Sequence, residues 1–336
     1  MISASAIRSK LKEKIHYTNQ DISGMIGMNT SLFKQARGAR IVLYHGICQK
    51  DHTRFNNIFL SLKTFEEHLQ FYTKYFNPIS LDDYYRQNFS DDRFNICIAF
   101  DDGYANNYHY ALPLLKKYKI PAAFFITAIR DTGYDILWND FLGIIGKYGP
   151  GKMTFKNELF RKARFNRYIS ERDNTSLVET LRSGEFDVKA EMMELLYPLA
   201  PFRENKSAQD FWLQMTETQI RELSASEWAT LGCHGYFHND LRRINIQEAE
   251  KEIVQSKQWL EKITGKEIKA LAFPYGAYSP AVVSASKKAG FSQLLAVDFH
   301  FPEDHADPFM RERFIVNPFI SVNNQMLCTI KGKYAS

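Results

Sequence analysis

The chain is short of cysteine, of long apolar runs and of one-sided charge. Its four cysteines, Cys48, Cys97, Cys233 and Cys328, stand far apart without paired spacing. That argues against a disulfide framework and against a cysteine zinc site, and it leaves reduced, mostly buried thiols. No segment approaches the roughly 20 uninterrupted apolar residues of a membrane-spanning helix. The start, Met1-Ile-Ser-Ala-Ser-Ala-Ile-Arg-Ser-Lys10, lacks an apolar core followed by small residues. It does not read as a secretory signal, and the expected location is cytoplasmic. The formal net charge is only +5 over 336 residues, and the basic residues are scattered rather than gathered into a stripe. No nucleic-acid partner is implied. Internal repeats and low-complexity tracts are missing as well.

What is present is a globular composition, 45% hydrophobic, enough for one large domain or two ordinary ones. Apolar runs at Ile41–Tyr44, Ile96–Phe100, Ala122–Ile126, Thr230–Cys233, Ala270–Phe273, Leu294–Val297 and Phe314–Val316 read as strands. Several are apolar throughout, as strands covered on both faces must be. Helical patterns alternate with them. Ile246, Ala249, Ile253, Ser256, Leu260 and Ile263 share one face, with Gly265 where a C-terminal cap belongs. Ser279-Pro280 reads as an N-cap followed by proline at the first helical position, and Gly290 closes that helix. The alternation predicts an α/β protein with a parallel sheet, and about seven strands over this length favour a barrel over an open sheet. Residues 131–227 break the rhythm. They are helical in pattern around Trp138–Ile145 and Leu177–Leu199 and show no convincing strand. The expected organisation is an N-terminal helical extension at 1–39, a barrel formed by 40–130 and 228–336, and a helical insertion or cap at 131–227. A small separate domain on a linker is the alternative for the last.

Three clusters stand at strand ends. Asp101-Asp102 terminates Ile96–Phe100, unlike Asp82-Asp83, which follows Ser80 in a helix first turn, and Asp91-Asp92 in a polar loop. At the carboxyl end of a barrel strand side chains converge on a cleft, and Gly103 permits a sharp exit. Two adjacent anions there are tolerable if a cation sits with them. His234 and His238 follow Thr230–Cys233. Two imidazoles and one carboxylate make three ligands and leave a place for water, as catalytic zinc sites do. The third cluster, Ala272-Phe-Pro-Tyr-Gly-Ala-Tyr278, is a tight turn whose amides could face the same cleft, or an ordinary turn.

Phe100-Asp101-Asp102-Gly103-Tyr104, His234-x-x-x-His238 and Phe273-Pro274-Tyr275-Gly276, in that order, resemble the motifs of the metal-dependent polysaccharide deacetylases, carbohydrate esterase family four. Leu43-Tyr44-His45-Gly46 and Ile120–Ile126 match longer bacterial members. The resemblance covers about 40–130 and 228–318. It implies a distorted (β/α) barrel that removes acetyl groups from the N-acetylated sugars of a polysaccharide, an oligosaccharide or a lipid-linked glycan. It also implies that Asp102, His234 and His238 hold a divalent metal ion, expected to be zinc (Zn2+), and that Asp101 is the general base. The backbone amide of Tyr275 would stabilise the oxyanion.

The chain departs from that family at three places. Ala272 stands where arginine often steadies the base, so Arg313 is the expected substitute, a plain surface ion pair being the alternative. A late Leu-x-x-His is missing, since no histidine follows His305. The general acid is then His45, the first choice because its strand end should face the cleft, or His300 or His305, or it is lacking. Gly235 replaces a serine or threonine and forgoes a supporting hydrogen bond. Without a general acid, the chain would be a degenerate member that binds a glycan or glycolipid. A third reading is an amide hydrolase acting on small molecules, and whether aromatics such as Trp138, Trp212 or Trp228 line a long groove separates a glycan from a small substrate.

Finally, Ile7, Leu11 and Ile15 share a helical face, with Arg8, Lys10, Lys12 and Lys14 around them. This suits peripheral contact through residues 1–35 with the inner face of a membrane, or else a helix packed on the barrel.

Overall fold

The computed structural model describes residues 4–204 and 206–335, and the side chains of 4–10, 206 and 207 fall outside that description. Nine strands form one sheet. In spatial order they run Met310–Arg311, Gln293–Leu295, Ala270–Ala272, Ala229–Cys233, Ala122–Ile126, Phe94–Phe100, Ala39–Tyr44 and Phe314–Ile315. Phe76–Pro78 pairs beside the start of Phe94–Phe100. Every pairing is parallel, so all the carboxyl ends open on one side. The outermost strands, Met310–Arg311 and Phe314–Ile315, are separated only by Glu312 and Arg313. The chain thus ties one edge of the sheet to the other and curls it into a distorted (β/α) barrel. All seven apolar runs lie in this sheet. The two strands not expected, Phe76–Pro78 and Met310–Arg311, have three and two residues, too few to show a period.

The register decides what faces inward. In Phe94–Phe100 every residue is buried, yet Ile96, Ile98 and Phe100 belong to the cluster under the helices. Cys97 and Ala99 instead join Ile41, Leu43, Ala123, Phe125, Ala270, Ala272 and Leu295 in a smaller cluster lining the barrel. Continuing that two-residue step past the strand ends brings His45 and Asp101 to the inner rim. The helices end where the sequence says they should. The Ser279 side chain accepts from the Val282 amide ahead of Pro280–Lys288, and Gly265 closes Ile246–Thr264 in the left-handed conformation.

The insertion differs from expectation. Besides the helices Trp138–Tyr148, Leu177–Arg182 and Phe186–Leu196, it contains an antiparallel sheet of Lys152–Phe155, Glu158–Lys162 and Tyr168–Ser170. The expectation of no strand is corrected for a local reason. The hairpin turns on Lys156-Asn157, both left-handed at φ 48° and 61°, a primed turn without the glycine that normally announces it. The insertion core of Trp138, Phe141, Ile145, Phe160 and Trp212 is continuous with Phe59 and Tyr104 from the barrel loops.

At the other end, the helix Ala4–Met25 lies along Val322–Lys331, where Asn324 Nδ2 donates to the Tyr17 carbonyl at 3.1 Å. Among the described residues no helix is long and apolar enough to cross a membrane. All four cysteines are free and buried.

Candidate metal centre

Three strand ends meet at the rim. Asp102 Oδ1 lies 3.3 Å from His234 Nε2 and 3.2 Å from His238 Nε2. One donor atom from each of the three residues falls within 4.8 Å of the others. His234 Nδ1 is 2.8 Å from the Ala272 carbonyl, so this nitrogen carries the proton and leaves the Nε2 lone pair for a ligand. Asp101 stands apart from the triangle, its Oδ1 accepting from Arg313 Nη1 at 2.6 Å and its Oδ2 3.6 Å from His234 Nε2. Asp101, Asp102, His234, His238 and Arg313 are all buried. A carboxylate and two imidazoles in this arrangement suit a divalent ion of intermediate softness, whose coordination shell extends beyond three ligands.

The backbone is strained at the same place. Asp102, His238 and Tyr275 have left-handed φ values of 76°, 57° and 61°. Such conformations cost non-glycine residues roughly 1–3 kcal/mol each and persist where the surroundings impose them. Gly276, at φ 63°, is required: a Cβ there would lie 2.8 Å from Val297 Cγ2.

Electrostatics separate the two aspartates from their neighbours. Burial alone would raise the Asp101 carboxyl, but Arg313 and His234 outweigh it and hold it below its ordinary value. Asp102 is likewise opposed by burial and driven well below the usual range by the two imidazoles. Burial lowers His45 and His238. Asp140, the buried carboxyl at the start of Trp138–Tyr148, goes the other way, raised well above its ordinary value by burial and by the charge of Asp102. The Tyr104 hydroxyl donates to Asp140 Oδ2 at 2.7 Å.

The insertion holds the loop that carries His238. Trp138 Nε1 donates to the His238 carbonyl at 3.2 Å, and the buried Lys189 ammonium donates to Asn239 Oδ1. Arg182 Nε donates to Asp240 Oδ2 at 2.9 Å, and its guanidinium lies 4.4 Å over the Tyr275 ring. From the opposite side Glu252, itself buried, accepts from the amides of Tyr236 and Phe237 at 3.1 and 3.0 Å and from Asn239 Nδ2 at 2.9 Å.

Of the expected site residues, the structure brings together Asp101, Asp102, His234, His238 and Arg313, and it sets Tyr275 against His238 with ring centroids 4.6 Å apart. Arg313 is a buried partner of Asp101, not a surface ion pair. His45 is at the rim, within the charge field of both aspartates, with Nδ1 buried and unpartnered. His300 and His305 are elsewhere: His300 Nε2 lies 3.2 Å from the Gly276 carbonyl, and His305 is exposed beside Phe299. The three tryptophans do not line a groove. Trp138 and Trp212 are fully buried in the insertion core, and Trp228 sits at the entry of Ala229–Cys233, the far end of the sheet from the centre. Gly235 also has a different meaning here. At φ 76°, a Cβ would lie 2.8 Å from Glu252 Oε1, so glycine makes room for the carboxylate that supports the loop. Glu252 was legible in principle, as an acid inside the apolar stripe of Ala249, Ile253 and Ser256. Lys189, Arg182 and Asp140 carried no such signal.

Residues 90–143 and 205–294 match the polysaccharide deacetylase family, and the unmatched stretch between them falls within the insertion. No curated protein sequence matches the chain. Among solved structures the chain is similar to the Streptococcus pyogenes deacetylase PplD in complex with acetate, with TM-score 0.55 and 17% identity over 87% of this chain and 97% of that one. It is similar also to a putative polysaccharide deacetylase from Bacillus anthracis, with TM-score 0.54 and 17% identity over 87% of this chain and 68% of that one. At that identity the likeness is one of fold, and the motif residues lie in the matched segments. The match to the polysaccharide deacetylase family thus lies in two segments, 90–143 and 205–294, divided in sequence by the insertion.

Proposed function

We propose that the protein is a divalent-metal-dependent hydrolase that removes N-acetyl groups from a sugar of a polysaccharide, oligosaccharide or lipid-linked glycan. The observation that carries this is the buried triangle of Asp102, His234 and His238 with a second, separately held aspartate beside it. Zinc suits the one-oxygen, two-nitrogen donor set. A bound ion would supply Lewis-acid polarisation of the acetamide carbonyl. Asp101, kept anionic and oriented by Arg313, takes a proton from water as the water oxygen adds to the acetyl carbon. The backbone amide of Tyr275 would stabilise the developing oxyanion. The carbon–nitrogen bond then breaks as His45 passes the proton taken by Asp101 on to the sugar nitrogen, and acetate leaves. Acetate release from N-acetylglucosamine oligomers by zinc-loaded protein tests the reading. Asp101→Asn should slow it by about 10²–10⁴-fold, and an undiminished rate would overturn the mechanism.

We propose in addition that residues 1–35 attach the protein to the cytoplasmic face of a membrane. Ile7, Arg8 and Lys10 lie outside the described side chains. Leu11, Ile15, Ile22, Met25, Ile26, Met28 and Leu32 are 51–87% exposed, while Tyr17 on the other face is buried. So many exposed apolar side chains beside Lys12 and Lys14 suit an anionic lipid surface. Sedimentation with anionic vesicles should be lost in a Met25→Ser, Ile26→Ser variant, and equal pelleting of both proteins would end the idea.

A further inference from the structure

A cavity of about 600 Å³ opens between the loop after the first barrel strand and the insertion, a volume suited to one or two sugar units. One wall is the face of Trp138–Tyr148 that carries Asn139, Gly143 and Lys147; Arg54 and Arg167 come from the loop and from the turn before Tyr168–Ser170. Most of this lining precedes residue 90 or falls between 144 and 204, so most of the cavity lies outside the segments that match the family.

Three observations define its chemistry. First, Arg54, Lys147 and Arg167 line it, and no acidic residue does. Among the described residues none of the three joins an ion pair, whereas Lys152, Lys156, Arg172, Arg182 and Arg203 of the same insertion each reach a carboxylate. Second, Asn139 Oδ1 is buried without a hydrogen-bond partner. Third, Phe165, on the cavity wall, is 77% exposed and held at φ 61°, a conformation that a phenylalanine adopts only when its surroundings impose it. The cavity is linked to the centre through the helix Trp138–Tyr148. Asn139 stands between Trp138, which bonds the His238 carbonyl, and Asp140, which accepts from Tyr104 two residues past Asp102.

We propose that this cavity is a subsite for an anionic sugar unit, a hexose bearing a phosphate or a carboxylate, next to the sugar that loses its acetyl group. The proposal deepens the deacetylase reading and rests on it for the identity of the neighbouring sugar. Like charges converging without a counterion are relieved by an anion, and guanidinium forks bind phosphate and carboxylate oxygens alike. The lone Asn139 oxygen accepts from a sugar hydroxyl, and Phe165 offers a flat apolar face to the ring.

The test is calorimetric titration of the full chain with glucose, glucose 1-phosphate and glucuronate, each with zinc present and again after chelation. None of these probes carries an acetyl group, so the result stands whether or not acetate release is found. The anionic sugars should bind roughly tenfold tighter than glucose, with or without zinc, and the Arg54→Gln, Arg167→Gln variant should erase the difference. The tighter of the two anionic sugars identifies the anion. Equal binding of all three sugars, persistence of the preference in the variant, or its loss on chelation, which would place the anion at the metal centre, each overturns the proposal. So does inorganic phosphate binding as tightly as the sugar phosphate, since no sugar would then be recognised.

Discussion

The barrel rim and the insertion build the centre by different means. Asp101, Asp102 and His234 emerge directly from strands, and their positions follow from a parallel register: Leu43 pairs with Ala99 and Cys233 with Leu271. His238 lies five residues beyond the end of Ala229–Cys233, at φ 57°. Its pose depends on Trp138, Lys189 and Arg182 from one side and Glu252 from the other. Hydrogen-bonded strands place the first three groups, the base and two ligands, almost regardless of what surrounds them. The fourth is placed by side chains that arrive from far away in sequence.

If that division is right, damage to each region should read out differently. The largest effect belongs to the rim. His234→Ala removes a ligand and leaves Asp102 with one imidazole, so zinc affinity measured by competition with a chromophoric chelator should fall by more than about 100-fold. Retention of wild-type affinity would mean that the triangle does not hold the ion.

On the insertion side, Lys189→Met should weaken zinc binding less, by about 10–100-fold, because a supporting contact is lost rather than a ligand. The same variant should gain stability. Burial lowers the Lys189 ammonium from 10.5 to about 8, so the unfolded chain holds a proton that the folded chain holds weakly. At pH 7 that costs the fold on the order of 3 kcal/mol. The cost is fully present below pH 8 and fades as pH rises toward 10.5. Thermal melts should show Lys189→Met above wild type at pH 7, with the gap narrowing by pH 10. Weaker zinc binding without any gain in stability would show that the ammonium is held by compensating contacts instead.

This asymmetry also explains what the sequence revealed. Asp101, Asp102 and His234 were readable because strand ends in a parallel barrel converge, and apolar runs mark those ends; Arg313 came only from the resemblance, as the substitute for an arginine at Ala272. The hairpin at Lys156-Asn157 was not readable, because its left-handed turn uses no glycine. Lys189 looked like any surface lysine in an amphipathic helix. It is buried only because Asn239, fifty positions away, returns to meet it. Such pairings leave no periodicity to follow.

A smaller effect is expected at Gly235, where the two regions touch. Gly235→Ala must adopt φ 76° and bring its methyl 2.8 Å from Glu252 Oε1. A destabilisation of about 1–3 kcal/mol in denaturant unfolding should follow, with the loop amides of Tyr236 and Phe237 losing protection from hydrogen exchange. Loss of stability without loss of protection would separate the glycine from the loop.

The mildest change is Asp140→Asn, and it tests whether the insertion presents a neutral acid to the rim. The Asp140 carboxyl is raised above its ordinary value by burial and by Asp102. The folded chain therefore holds this proton more tightly than the unfolded chain does. Its contribution is complete below the unfolded value of about 4 and is lost as pH rises through the folded value. Asparagine imitates the protonated carboxyl and still accepts from Tyr104. Wild type and variant should thus melt alike at low pH, and the variant should pull ahead as pH rises. If wild type instead gains on the variant with rising pH, Asp140 is ionised in the fold, and the insertion faces the two rim aspartates with a third negative charge.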